Sequence, residues 1–179
     1  MSAYPLKVAK KNGVPVRIAH SHNTSQEKNL KYLIKDYSKK QIPKYATHLF
    51  ACGKEAGKWM FGKHKFQIMN NAIDAKKFIY NEEVRKQKRV ELGVEDKFVI
   101  GHVGRFNLQK NHEFLVKRFA DFAKTNEDAV LVLIGNGELQ EKIKEMAKEY
   151  GIETKVKFLG LREDIPQLLQ AMDLFLFPS

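Results

Sequence analysis

The sequence predicts an α/β fold made of two halves, each a parallel sheet flanked by helices. Three observations carry this. In the second half short apolar strands alternate strictly with amphipathic helices; in the first half the same alternation recurs less regularly; and the strands are near-continuous apolar runs, as in Ala129-Val130-Leu131-Val132-Leu133-Ile134. A strand that is apolar at every position must be covered on both faces, and this is the signature of parallel sheets between helical layers.

The second half is the clearer. Phe98-Val99-Ile100-Gly101-His102-Val103 reads as a strand, and Asn111 to Lys124 follows with Phe114, Leu115, Phe119 and Phe122 at helical spacing. After the strand Ala129–Ile134, Gly135-Asn136-Gly137 turns into a helix over 138–150, with Gly151 placed as its C-terminal cap. Val156 to Leu159 is a third strand, 165–172 a short helix and Leu174 to Phe177 a fourth strand. In the first half Val16 to His20, Thr47 to Ala51 and Phe66 to Met69 read as strands. Between them lie a basic helix over 26–41, broken near Pro43, and a short helix over 53–61. Residues 74–93, dense in Lys, Arg and Glu, read as a charged helical link. The expected organisation is a first domain over 1–74, a connector over 75–95 and a second domain over 96–179, with no internal repeat.

Composition narrows the function. The chain has 179 residues, 43% of them apolar, which excludes disorder, and a single cysteine, which excludes a disulfide framework or a multi-cysteine metal site and points to a reducing compartment. No apolar run approaches the ~20 residues of a membrane span, and the first seven residues lack the apolar core of a signal peptide. The formal charge of +11 is uneven: residues 1–90 carry 20 basic and 6 acidic side chains, residues 91–179 carry 12 and 15. An excess of +14 in the first half suits a polyanion, an anionic lipid surface or an acidic substrate, and equally suits a solvated lysine-rich surface.

In open parallel sheets ligands sit beyond the carboxyl ends of the strands, so the loops there are the candidates. Gly101-His102-Val103-Gly104-Arg105 leads through Phe106 to Lys110-Asn111-His112; two glycines would let backbone approach a ligand, and Arg105 and Lys110 bracket a helix start that already favours an anion. This outlines a phosphate or diphosphate cradle, against the alternative of a turn with two solvent-facing cations. Gly135-Asn136-Gly137-Glu138 is either a tight turn or a ligand contact, and it lacks the third glycine of a dinucleotide fingerprint. In Gly160-Leu161-Arg162-Glu163-Asp164-Ile165-Pro166, Asp164 fits a helix N-cap and Pro166 the first turn, without any ligand. His20 and His22, two apart at a strand end, fit polar donors better than a metal pair, since no further ligand cluster supports one. His48 and Cys52 read as core or core-edge residues.

As an ordered set these loops resemble the retaining GT-B glycosyltransferases of the group 1 family, especially those of capsular and exopolysaccharide synthesis. The matching residues are His20-Ser21-His22-Asn23, Asn71-Ala72-Ile73-Asp74, Gly104-Arg105-Phe106 with Gln109-Lys110-Asn111-His112, Gly135-Asn136-Gly137-Glu138, Phe158-Leu159-Gly160 through Asp164-Ile165, and Ala171-Met172-Asp173 to Phe177-Pro178-Ser179. The resemblance implies two Rossmann-like halves, both incomplete in this chain, with an acceptor domain first and a donor domain second. It implies that Gly104, Arg105 and Lys110 bind the donor's diphosphate, that Leu159, Gly160, Leu161, Asp164 and Ile165 surround the nucleobase, that Asn136 and Gly137 contact the donor, and that His22 lies beside the transferred sugar. His22, Arg105 and Lys110 would then be the catalytic set.

It further implies a nucleotide-diphosphate sugar, a UDP-sugar by the group's usual habit, and a saccharide or lipid-linked acceptor. The diphosphate would leave without a metal or other cofactor, in the cytoplasm or on the inner face of the plasma membrane. Ala72 departs from the family's usual glycine. The segment carrying the family's Glu-x7-Glu signature would follow Ser179, so the chain reads as an internal fragment not competent alone. The competing readings are a basic nucleic-acid-binding module and a non-catalytic nucleotide-binding module; the sequence carries no nucleic-acid-binding signature, and none is expected as a partner.

Overall fold

The structure is a computed structural model and describes residues 3–25 and 32–178. The chain divides into two compact units, Met1–Ile73 and Asp74–Ser179. The first contains helix α1 (Ala3–Lys11), strand β1 (Ile18–Ser21), helix α2 (Tyr32–Tyr45), strand β2 (His48–Ala51), helix α3 (Lys54–Phe61) and strand β3 (Gln67–Ile68). Its sheet has the order β1-β2-β3, all parallel, with Ile18 opposite His48 and Phe50 opposite Gln67. The core beneath it joins Ala3 and Leu6 of α1, Ile42 of α2, Ala51 of β2, and Ala56 and Phe61 of α3.

The second unit contains helix α4 (Glu82–Leu92), strand β4 (Phe98–Val103), helix α5 (His112–Ala123), strand β5 (Ala129–Ile134), helix α6 (Gln140–Glu149), strand β6 (Val156–Gly160), helix α7 (Ile165–Gln170) and strand β7 (Leu174–Phe175). The sheet order is β6-β5-β4-β7, again all parallel. All six residues of β5 are buried, and the period of two sorts them. Leu131 and Leu133 face the layer of α5 and α6, where Leu115, Phe119 and Ile143 are buried. Val130, Val132 and Ile134 face Leu92, Leu168 and Ala171, from α4 and the end of α7. The two-sided apolar pattern read from the sequence is therefore a sheet between two helical layers.

Two expectations change, and one helix was not expected. Helix α1 carries no sequence expectation at all, because Pro5 and three lysines obscure its short buried face of Ala3 and Leu6. Helix α2 runs through Pro43 to Tyr45: the proline removes one donor near the helix end, and the Ala46 amide still bonds the Ile42 carbonyl at 3.0 Å. The first residues expected in that helix, 26–31, lie outside the described residues.

Residues 75–95, expected as a connector, fold onto the second unit as a 3-10 turn (Ala75–Phe78) and α4. Asn81 caps α4 by accepting from the Val84 amide at 3.0 Å, and Gly93, at φ 60°, ends it. Arg85 and Arg89 bind α4 to the segment after α7. Arg85 donates to the carbonyls of Gln170 (2.9 Å) and Met172 (3.0 Å), Arg89 to that of Ala171 (2.9 Å), and both pair with Asp173. Asp173 in turn accepts from the Val99 amide at 2.7 Å. Charge density in α4, read as a charged helical link, is in part a buried staple.

Candidate functional site

Strand β4 delivers the first loop. The Gly104 amide donates to the Ile134 carbonyl (2.9 Å), the Phe106 amide to the Asn136 carbonyl (3.0 Å), and the Leu139 amide to the Phe106 carbonyl (3.1 Å). With the Phe106 ring buried, the loop is pinned along its length to the loop after β5. Asn107 caps a 3-10 turn over Leu108–Lys110 through its side chain, which accepts from the Lys110 amide at 3.1 Å, and Asn111 takes the left-handed conformation (φ 49°) before α5 begins. Arg105 is exposed and pairs with Glu138 at 3.2 Å. The Lys110 ammonium lies 4.6 Å from the centroid of the Phe177 ring.

The glycines divide differently from the expectation that two of them admit a ligand. A Cβ on Gly101 would stand 1.9 Å from Met172 Sδ, so this glycine makes room for packing inside the fold. On Gly104 it would meet His102 Nε2 at 2.8 Å. Gly135, at φ 138°, and Gly137 allow the two loops to touch backbone to backbone: their Cβ atoms would stand 2.1 Å from the Gly104 carbonyl oxygen and 2.4 Å from that of Phe106.

The third loop follows β6. The Gly160 carbonyl accepts from the Gly135 amide at 2.8 Å, so all three loops are joined through main chain. Leu159 turns into the core, while Leu161 is 78% exposed. Asp164 precedes α7 as expected but makes no side-chain cap. Its carboxylate is taken by Arg162, at 2.8 Å from Nε and 2.7 Å from Nη2, and by Lys88 Nζ at 2.7 Å. These two cations overcome burial and hold the Asp164 carboxyl well below the usual range.

A cleft of about 500 Å³ opens between these loops. Of the residues expected at the site, it is lined by Gly104 and Arg105 from the first loop, Asn136 and Gly137 from the second, and Leu161 and Ile165 from the third; Val103, Ile134, Gly135 and Arg162 complete it. Apolar walls at Val103, Ile134 and Ile165 with an arginine on either side suit a flat, partly apolar group bearing an anion. Lys110, Leu159, Gly160 and Asp164 are not among the lining residues. Arg162 escaped the sequence reading because an Arg-Glu-Asp run looks like a solvated turn; its position two residues after a loop glycine was the available signal.

His102 and His112 were also missed. They are buried, at 0% and 1% exposure, with ring centroids 4.8 Å apart, and His112 stacks on Phe106 at 4.1 Å. His102 Nδ1 lies 2.8 Å from the Leu176 carbonyl, while His102 Nε2 and both nitrogens of His112 have no partner. Burial above all, with the neighbouring His102 and Lys110, brings the His112 pKa down to about 4. A pair of neutral rings therefore underlies the loop that carries Arg105 and Lys110.

His22 belongs to the first unit. It follows β1 on an exposed turn, its ring 4.2 Å from that of His20, and its carbonyl lies 3.7 Å from Cys52 Sγ. Ser21, fully buried, ties this strand end to α3 by donating to the Ala56 carbonyl at 2.9 Å. Among the described residues no group of three His, Cys, Asp or Glu is placed to hold a metal ion.

Residues 83–179 match the family described as Glycosyl transferases group 1. EpsF of Bacillus subtilis (strain 168), whose name assigns it as a glycosyltransferase, is 36% identical over 178 residues, covering 93% of this chain and 46% of EpsF. A UDP-Gal:alpha-D-GlcNAc-diphosphoundecaprenol alpha-1,3-galactosyltransferase of Escherichia coli is 31% identical over 119 residues, covering 64% of this chain and 31% of the relative. The crystal structure of Anabaena Alr3699/HepE in complex with UDP superposes with a TM-score of 0.79 at 24% identity, over 99% of this chain and 50% of that one, which shows the shared GT-B fold. The chain thus spans half or less of the length of these proteins, and within that span it belongs to the group 1 glycosyltransferases.

Proposed function

We propose that the protein carrying this chain moves a sugar, with retention, from a UDP-sugar to a saccharide or lipid-linked acceptor in capsular or exopolysaccharide synthesis. The observation that carries this is the cleft itself, which Gly104 and Arg105 line together with Leu161, Ile165 and the apolar side chains of Val103 and Ile134. The base would lie against Leu161 and Ile165, in the loop shaped by Leu159, Gly160 and Asp164, and the diphosphate against the Gly104 backbone, Arg105 and Lys110. Asn136 and Gly137 would form the side between them.

The chemistry asked of these groups is electrostatic. As the glycosidic bond to the diphosphate breaks, its electron pair passes to the phosphate oxygen and adds one negative charge to the two the diphosphate already carries, and fixed cations with oriented amides would stabilise that charge without a metal or further cofactor. An acceptor hydroxyl that attacks from the face the diphosphate leaves, passing its proton to the departing phosphate oxygen, retains the configuration. His22, from the first unit, would contact the sugar beside the reacting carbon. Support for the donor comes from the UDP and UDP-glucose bound to HepE, and for the acceptor from the diphosphoundecaprenol substrate in the name of the Escherichia coli relative.

Among the described residues no helix is long and apolar enough to cross a membrane. Work at the cytoplasmic face of the membrane would rest on the basic first half. There the reading is narrower than the sequence suggested. Of five lysines expected along one helix, Lys28 and Lys31 lie outside the described residues, and Lys39 and Lys40 both pair with Asp36, at 3.2 and 2.8 Å, leaving Lys35.

Replacement of Arg105 or Lys110 by alanine in the full protein tests the assignment. Each should lower turnover by roughly 10²-fold, the scale of losing one partner of transition-state charge. Rates within twofold of the parent would refute it.

A further inference from the structure

Behind the base side of the cleft stands a closed ring of four charges. Lys88 and Glu91 come from α4, Arg162 and Asp164 from the loop after β6. Around the ring, Lys88 Nζ meets Asp164 Oδ2 at 2.7 Å, Asp164 holds Arg162 through both carboxylate oxygens at 2.8 and 2.7 Å, Arg162 Nη2 meets Glu91 Oε1 at 2.8 Å, and Glu91 Oε2 meets Lys88 at 2.5 Å. Signs alternate, the sum is zero, and Lys88 is the least exposed member, its side chain 15% accessible. Arg162 alone lines the cleft.

This is more than a surface ion pair. An isolated exposed pair contributes little, but a ring in which every member has two partners fixes side-chain geometry, because moving one breaks two contacts. Each group is also held in its charged form: hydrogen bonds around the ring lower Asp164 and Glu91 and raise Lys88 and Arg162. The middle of the loop has little else to hold it. Gly160 sits at φ 66°, Leu161 is exposed, and α7 is only six residues long. Its ends are tied by the Gly160 carbonyl on Gly135 and by Leu159 and Ile165 packed against the core, and its middle by this ring.

We infer that Lys88 and Glu91 are positioning residues for the nucleobase: from α4, outside the cleft, they fix Arg162 and so the Leu161–Arg162 wall against which the base lies. The inference rests on the nucleotide-diphosphate reading of the cleft and deepens it. It separates two halves of donor recognition. The ring governs the grip on the nucleoside, while Arg105 and Lys110, on a loop fixed by other contacts, govern the grip on the diphosphate.

Calorimetric titration of the full protein with UDP and, separately, with inorganic pyrophosphate tests this. Glu91→Gln should weaken UDP about fivefold and leave pyrophosphate within twofold, and Lys88→Met should behave alike. Arg105→Ala should weaken both. Because Glu91 acts through Arg162, the double variant E91Q/R162Q should bind UDP no more weakly than R162Q alone. In steady state E91Q should raise KM for the donor with kcat unchanged, and the thermal midpoint of each variant reports whether the unit remains folded. If UDP binds and R105A weakens it, but E91Q and K88M bind UDP like the parent, the positioning role is wrong. Equal weakening of UDP and pyrophosphate by E91Q would also overturn it. If R105A changes neither ligand, the reading of the cleft itself fails.

Discussion

Acid should destabilise the second unit through the buried ring of His112. The ring is 1% exposed, stacks on Phe106 and has no hydrogen-bond partner, so burial penalises its cation, and the pKa falls from 6.5 to about 4. A folded-state pKa below the unfolded one means the unfolded chain binds the extra proton. The contribution is therefore fully present above pH 6.5 and is lost as pH falls towards 4. At pH 5.0 the unfolded side chain is mostly protonated and the folded one mostly not. About 1.5 pH units of titration at ~1.36 kcal/mol each give a loss of about 2 kcal/mol relative to pH 7.5. His112→Leu removes the titration without breaking any hydrogen bond, so it should cost little at pH 7.5 and lose about 2 kcal/mol less than the parent on going to pH 5.0. Urea unfolding followed by hydrogen exchange of the β4 and β5 amides reads the second unit. The fluorescence of Trp59, the one tryptophan of the chain, reads the first and serves as control. Equal losses for parent and variant, within ~0.5 kcal/mol, would show that the ring is not the proton acceptor and that its burial has been misjudged.

Other outcomes follow from the same geometry. Burial opposes the Asp173 charge, but the Val99 amide and then Arg85 and Arg89 outweigh it and hold the carboxyl below its usual range; Asp173→Ala strands two guanidinium groups and should cost about 3 kcal/mol in urea unfolding at pH 7. The depressed pKa makes the Asp173 contribution present at neutral pH and lost in acid, so the parent and Asp173→Ala should converge in stability as pH drops below 4. Gly137→Ala would press a Cβ to 2.4 Å from the Phe106 carbonyl oxygen, and the displaced loop should weaken UDP at least tenfold; Gly101→Ala meets only the flexible Met172 thioether and should bind UDP within twofold of the parent. Vesicle sedimentation tests the basic first half: binding to anionic but not neutral vesicles is expected, and equal binding to both, or none, leaves only a solvated surface.

What the sequence made legible follows from which forces are local. The strands β4 and β5 were placed to the residue because β-branched apolar runs bounded by polar segments have one low-energy use in a soluble fold. Helix α1 was not, since its two buried residues carry too weak a pattern and only their packing into the core with Ala19, Ile42 and Ala51 makes it worthwhile. Of the cleft-lining residues, Gly104 and Arg105 were legible because they follow β4 directly, whereas Leu161 and Ile165 came from the family resemblance alone. The ring of Lys88, Glu91, Arg162 and Asp164 was invisible for the opposite reason: its partners are 71 to 76 residues apart, and a charge in sequence does not reveal whether its answer lies across a fold.

The two arginines of the cleft show what that distinction does. Arg105 and Arg162 are the same residue type on facing loops, yet their surroundings assign them different work. Arg105 has one partner, Glu138, in a pair whose side chains are 71% and 57% exposed, so exchanging that carboxylate for an incoming phosphate sacrifices little. Arg162 is bound on two edges by Asp164 and Glu91, with its side chain 29% exposed, and releasing it would leave two carboxylates and Lys88 unmatched. A ligand can recruit the first and cannot afford to disturb the second. On the proposed reading, the exposed and singly paired cation would therefore meet the charge that changes during transfer, the diphosphate, and the fixed one the part of the donor that does not react, the nucleoside.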